Sequence, residues 1–286
     1  MSPRHAPWAE AADFAIGLKP IAEADWLEGG EADPAARKDA LYAAHRAQVF
    51  AQTPGSRTGQ AEVAELVAAA LGPDPAPRSD LPPIYAAARR LSDDLCLMEK
   101  TGGAWRLAAL SLSAGSFFSA SDVIGQSLSE LHGPVTGFQD RFLTRVQRIF
   151  DGLRPGLILE RRNWSVVNSA ELSAPDPAPM RARIADIAPE DVGRALFTRV
   201  ERQTLRRLPR TGGVLFTIRV WLSPLDEIAA EPGRLAAFGR AWRAAPEAFR
   251  DYKRLDLYDR LIDAFLRAHG ESHSVNGNGS PSSRAK

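Results

Sequence analysis

At 286 residues, 44% hydrophobic and 25% charged, the chain has an ordinary globular composition and enough length for one large domain or two small ones. Its formal net charge of +1 supplies no overall field to steer a polyanion, which argues against nucleic-acid binding. The single cysteine, Cys96, excludes an intrachain disulfide and a multi-cysteine metal or iron–sulfur site, and no run approaches the roughly 20 apolar residues of a membrane span. Residues 1–8 lack the apolar core of a signal peptide, so a cytoplasmic location is the default expectation.

Asp33 followed by Pro34 reads as a helix N-cap with proline at the first position. Leu41, Ala44, Val49 and Phe50 recur at roughly helical spacing, which predicts a helix to about Gln52. Thr58 reads as the cap of a second helix over 59–71, with Val63, Leu66, Val67, Ala70 and Leu71 on one side and a stop at Gly72-Pro73. The proline-rich stretch 72–83 is an extended connector. A helical pair with one apolar stripe docks on a neighbouring sheet, so 1–72 is expected to pack on a continuous core spanning 73–270. In that core, strands at 95–99 and 105–112 flank Thr101-Gly-Gly103 as a hairpin. A helix capped by Ser121 runs towards Leu131 and stops near Gly133-Pro134. Another, from about Gln139 to Leu153, repeats Phe142, Val146, Ile149 and Phe150 at helical spacing. Strands at 157–161 and 164–167 precede a hairpin over 196–222, and helices at about 232–244 and 255–268 follow. The Ser-, Gly- and Asn-rich tail 271–286 reads as disordered. Antiparallel hairpins with segregated helices predict an α+β protein.

The hairpin over 196–222 is the most informative segment. Its second strand, 214–222, is β-branched and aromatic enough to be buried on at least one face, and Pro209-Arg-Thr-Gly-Gly213 supplies the turn. On the first strand, parity puts Arg202, Thr204 and Arg206 on one face with Val200 and Leu208. Arg199, Glu201 and Gln203 share the other face with Phe197 and Leu205. Fixed guanidinium groups beside a hydrophobic wall suit an amphipathic ligand with anionic groups.

The run Arg199-Val-Glu-Arg-Gln-Thr-Leu-Arg-Arg-Leu-Pro209 with Gly212-Gly-Val-Leu-Phe-Thr-Ile-Arg219 resembles the signature of the haem-dependent oxidative N-demethylase family. Further similar pieces are Phe14-Ala-Ile-Gly-Leu-Lys-Pro20 with Asp25-Trp-Leu27, Asp94-Leu-Cys-Leu-Met-Glu99, Leu131-His-Gly-Pro-Val135, Glu160-Arg-Arg-Asn-Trp164 and Tyr252-Lys253, so the resemblance covers about 14–268. It implies a PAS-like antiparallel sheet core with flanking helices that holds haem b. It also implies a monooxygenase that removes a methyl group from a small amine, using dioxygen and releasing formaldehyde. Electrons then come from NADPH through a flavin and an iron–sulfur centre on partner reductase chains, because this chain has neither the cysteines for a cluster nor a dinucleotide fingerprint. The sequence departs from the family at 111–121, where small and hydroxylated residues replace bulky ones, which bears on substrate size. A PAS-like haem or small-ligand sensor without an electron donor is the alternative, and a haem-free structural protein a third.

Within that frame His132, at a helix end before Gly-Pro, is the candidate axial ligand to haem iron; a helix-capping histidine is the competing reading. Cys96 is the rival ligand, in an apolar strand where cysteine is usually plain core. Arg202 and Arg206 are candidate anchors for haem propionates, with cross-strand pairing to acids as the alternative. Arg219 interrupts an apolar strand and therefore needs a specific partner, either Glu201 or a propionate. Glu201 is the candidate carboxylate for holding the amine cation, and Glu160 the second; each could instead pair internally with the arginines. Trp164, Phe216 and Trp221 are candidates to line the haem face, or plain core.

Overall fold

The computed structural model describes residues 6–9, 17–133 and 142–270. The disordered tail expected at 271–286, the helix start expected near Gln139, Pro134 of the helix stop and the first residues of the Phe14 motif lie outside them. The frame is one antiparallel sheet of seven strands: β1 (Lys19–Ile21), β2 (Phe50–Gln52), β3 (Asp94–Thr101), β4 (Ala104–Ser111), β5 (Ile158–Val167), β6 (Phe197–Arg207) and β7 (Val214–Pro224). They lie in the order β1-β5-β6-β7-β3-β4-β2. The five inner strands β4-β3-β7-β6-β5 thus run second, first, fifth, fourth, third, the order of a PAS-like core. The front section adds a three-residue strand at each edge. The fold is α+β, and among the described residues no helix is long and apolar enough to cross a membrane.

Alternation along the strands gives the sheet two chemically different faces. Register places Leu159, Arg161 and Asn163 of β5 beside Leu205, Gln203 and Glu201 of β6, and these beside Phe216, Ile218 and Val220 of β7. Phe216 in turn faces Cys96 of β3, which faces Leu110 of β4. This is the Glu201 face. The opposite, Arg202 face carries Arg202 against Arg219, Thr204 against Thr217, and Leu97 against Leu215. Trp26, α2 (Arg57–Leu71) and α3 (Pro83–Ala88) pack on it, burying Val63, Val67, Ile84 and Tyr85 against Leu95, Leu97 and Leu215. At the far end of this face Trp164, Val166 and Val200 join Phe238 and Trp242 of helix Pro232–Ala244 and Ile262 and Phe265 of helix Asp259–Ala268.

Several elements depart from the pattern read in the sequence. The strands expected at 157–161 and 164–167 are one strand, because β6 pairs with it throughout from Ile158 to Val167. The helix expected from Ser121 to Leu131 is two single turns, Ala120–Val123 and Leu128–Leu131. Between them Gly125 adopts a φ of 77° and rejoins the backbone to Leu107, so the chain pairs briefly with β4. Ser119, not Ser121, closes the first turn through a capping box with Asp122. The first helix, α1 (Pro34–Val49), is capped by Asp33 as expected but yields to β2 at Phe50. The second starts at Arg57, one residue before the expected Thr58 cap, and the helix expected at 255–268 opens with a 3-10 turn at Leu255–Tyr258. Short helices at Pro83–Ala88, Ala178–Arg183 and Glu247–Lys253 have no long apolar period and were not legible as helices.

Candidate functional site

β7 is the fourth of the seven strands, paired on both sides, and its Leu215, Thr217 and Arg219 on the Arg202 face are buried. On the Glu201 face the same strand leaves Phe216 and Ile218 only half-buried. Leu159 beside them and Val123, Leu131, Leu143, Val146 and Ile149 above them are also partly exposed, while Cys96, Met98, Leu110, Leu205 and Phe150 close the base and rim. These half-buried side chains form an apolar patch over the middle of the sheet, packed with helix Leu143–Gly152 and the turn Leu128–Leu131. A separate polar cleft of about 540 Å³ lies between residues 151–155 and 207–212 at the hairpin turn, and shares none of the chemistry described next.

One end of the patch is strongly charged. Glu201, whose side chain is 19% exposed, accepts from Arg199 Nε at 3.2 Å and from Gln203 Nε2 at 3.0 Å. Arg199 is anchored by its other nitrogens, Nη1 to the Leu172 carbonyl at 3.2 Å and Nη2 to the Ala114 carbonyl. Arg161 of β5 and Lys253, at the end of helix Glu247–Lys253, act on Glu201 electrostatically. Among the described residues neither makes a hydrogen bond or an ion pair; Lys253 Nζ lies 4.9 Å from the centre of the Tyr252 ring. Burial would push the Glu201 carboxyl up, but Lys253, Arg199 and Arg161 outweigh it and hold it below its ordinary value. Burial lowers both Lys253 and Arg161, opposed in each case by Glu201. Burial and then Glu201 push the Tyr252 phenol up. Two cations without a bonded anion thus stand beside one anion that is already bonded.

His132 ends the turn Leu128–Leu131, and its ring Nδ1 lies 2.8 Å from the Leu128 carbonyl. A carbonyl only accepts, so Nδ1 carries the proton, and Nε2 is the basic nitrogen of the neutral ring. Burial, reinforced by Arg161, lowers the imidazole pKa despite the Leu128 contact. Arg161 therefore acts electrostatically on both His132 and Glu201.

Of the other expected site residues, Phe216 and Cys96 share this face and the rest do not. Arg202 is 1% exposed on the opposite face, with Nε 2.5 Å from Glu160 Oε2 and 3.2 Å from Glu28 Oε1, and with Nη1 and Nη2 on the Trp26 and Asp25 carbonyls. Arg206, on that same face, pairs with Glu23 at 2.5 Å and lies 4.3 Å from the Trp26 ring centre. Arg219 meets Asp93 at 3.5 Å and the Gly29 carbonyl at 3.3 Å. Glu201, proposed as its partner, points to the opposite side of the sheet, opposite Val220. Trp164 packs edge-on against Trp8 and Phe238 in the far-end core, and Trp221 shares the Arg202 face. Glu160 is the buried partner of Arg202. Cys96 is on the Glu201 face, 7% exposed, with its thiol pKa pushed up by burial. Its apolar surroundings keep it a thiol.

Arg161, Arg199 and Lys253 were not singled out as site residues in the sequence. Parity marks Arg161 as the member of Glu160-Arg161-Arg162 that shares the face of Gln203, but only once the β5 to β6 register is known. Lys253 lies far along the chain, on a seven-residue helix. The divergent segment 111–121 supplies the Ala114 carbonyl to Arg199 and leaves Phe117 and Phe118 exposed, with Phe117 at a φ of 69°. A family model described as haem-dependent oxidative N-demethylase, alpha subunit-like, matches residues 72–262.

Proposed function

Because the chain belongs to the haem-dependent oxidative N-demethylase, alpha subunit-like family, we propose that it is the haem-carrying subunit of an oxidase acting on a small methylated amine in the cytoplasm. In the overall reaction the methyl carbon leaves as formaldehyde. One oxygen atom of dioxygen goes to that carbon and the other leaves as water. Two protons and two electrons come from outside, the electrons from NADPH through a flavin and an iron–sulfur centre on partner chains.

The observation that carries this reading is the composition of the patch: apolar side chains left half-buried at the centre of a sheet, two cations at one end with no bonded partner among the described residues, and a half-buried histidine whose pKa burial lowers. These features fit haem b, a flat apolar ring with two carboxylates. Phe216, Ile218, Leu159 and Val146 would face the ring, Arg161 and Lys253 would meet the propionates, and His132 would hold the iron through Nε2. Bound there, haem supplies dioxygen activation. The chain's own contribution is to exclude water with the apolar walls and to present Glu201. Held ionised by its neighbours, that carboxylate attracts an ammonium group and orients the methyl-bearing nitrogen.

The reading is tested by the absorption spectrum of the purified protein, as isolated and after dithionite with carbon monoxide, followed by a formaldehyde assay with reductase, oxygen and a panel of small methylated amines. A haem spectrum with no formaldehyde from any amine would favour the sensor alternative. A protein that stays colourless when expressed with haem supply would reject both.

Arg161→Gln with Lys253→Gln is expected to weaken haem binding about 10- to 100-fold without loss of stability, since each wild-type charge is desolvated without a bonded partner. Titrating haem into the apo-protein measures this, and unchanged affinity would send the propionates elsewhere. For Glu201, a depressed carboxyl pKa means that cation binding is complete above the ordinary value of about 4.3 and is lost only as pH falls through the lower, folded value. Amine affinity, read from the haem spectrum, should therefore be flat from neutral pH to about pH 5. Glu201→Gln should weaken amine binding and formaldehyde yield more than haem binding, and an equal loss of all three would count against the assignment.

A further inference from the structure

Glu201 is held in place by a series of contacts that begins on another strand. Asp94 opens β3 on the Glu201 face, opposite Ile218, and is 1% exposed. Its Oδ1 accepts from the Ser113 backbone N–H at 2.6 Å and the Ser113 hydroxyl at 2.7 Å, and its Oδ2 accepts from the Ala114 N–H at 2.9 Å. No cation lies within 4 Å of it among the described residues, so the carboxylate is spent on holding two consecutive residues of the turn after β4. From the other side, Arg37 of α1 donates to the Ser113 carbonyl at 3.0 Å. The residue so fixed, Ala114, offers its carbonyl to Arg199 Nη2, and Leu172 takes Nη1. With both ends of the guanidinium occupied, Nε is left facing Glu201 Oε1 at 3.2 Å.

We propose that Asp94 is a positioning residue for Glu201: it clamps Ser113 and Ala114, the clamped carbonyl fixes Arg199, and Arg199 fixes the orientation and charge of the Glu201 carboxylate. Only the importance of this for amine binding rests on the function proposed above; the mechanical link does not. It also gives the divergent 111–121 segment a task. Small hydroxylated residues there let the backbone approach a buried carboxylate closely, and Ser113 supplies two of its three donors.

The sign of one measurement separates this route from direct electrostatics. The charged and titratable groups facing Glu201 are Arg199 on its own strand, Arg161 from β5, and Tyr252 and Lys253 from helix Glu247–Lys253. Removing the negative charge of Asp94 would by itself make Glu201 a stronger acid. Releasing Arg199 from Glu201 does the reverse. In protein labelled with ¹³C at the glutamate side-chain carboxyls, with Glu201 assigned by its disappearance in Glu201→Gln, Asp94→Asn is expected to make Glu201 about a tenfold weaker acid. In an Arg199→Gln background the same change should have no further weakening effect. Ser113→Ala, which deletes only the hydroxyl donor, keeps the test open if Asp94→Asn does not fold, and should shift Glu201 in the same direction by less. A Glu201 that becomes a stronger acid, or stays at its wild-type strength, in a folded variant overturns the proposal. If instead the titration shifts as expected but no amine yields formaldehyde, the positioning route stands and the demethylase reading fails.

Discussion

Arg202→Ala is expected to cost about 3–5 kcal/mol of stability, enough to threaten folding of an ordinary domain. The guanidinium is fully enclosed and satisfied by Glu160, Glu28 and the carbonyls of Asp25 and Trp26, so it ties the front section to the middle of the sheet. Truncating it leaves Glu160, itself 3% exposed, without its closest cation, and orphans two carbonyls. Arg206→Ala, two same-face positions further along β6, breaks a contact with an exposed Glu23 and should cost no more than about 1 kcal/mol beyond the lost Trp26 packing. Urea unfolding of the two single variants measures the contrast. If Arg202→Ala kept wild-type stability and instead lost haem, the propionate role first read from the sequence would be restored.

His132→Ala is expected to abolish stable haem binding, or to leave a haem that free imidazole restores, whereas Cys96→Ala should keep the wild-type spectrum. The neutral ring has its basic nitrogen on Nε2 because Nδ1 is committed to Leu128, the arrangement in which metal-bound histidines are usually held. The Cys96 thiol sits between Phe216 and Leu110, where burial opposes the thiolate that iron would need. Formaldehyde production should fall with haem content in the first variant and not in the second. Full haem with unaltered bands in His132→Ala would remove the ligand assignment.

Strands β3, β4, β6 and β7 and their hairpin turns were legible because Thr101-Gly-Gly103 and Pro209-Arg-Thr-Gly-Gly213 carry their own conformational signal, whereas the three-residue β1 and β2 were not. Parity along 199–206 was also legible, and it separated Glu201 from Arg202 correctly. What parity cannot say is which face meets the ligand. Which face is covered is set by the front section: Trp26, Glu28 and the residues around them pack on the Arg202 side, and nothing in the strand itself encodes this. Arg161 and Lys253 were obscure for a related reason. Their meaning comes from register and from a short helix with too few turns to show a period, both of which are properties of the assembled fold.

The three-residue strands β1 and β2 stand at opposite ends of the sheet, and both come from sequence before residue 72, where the family match begins. They cover Ile158–Glu160 at one end of β5 and Ala109–Ser111 at one end of β4, and without them those amides would join the open edge, where unpaired groups can recruit a strand from another molecule. The front section is therefore expected to lessen self-association as well as to pack on the core. A fragment cut to the matched residues would keep His132, Arg161, Glu201 and Lys253 and still be prone to aggregate, because the two shortest strands in the protein are the ones that finish its borders.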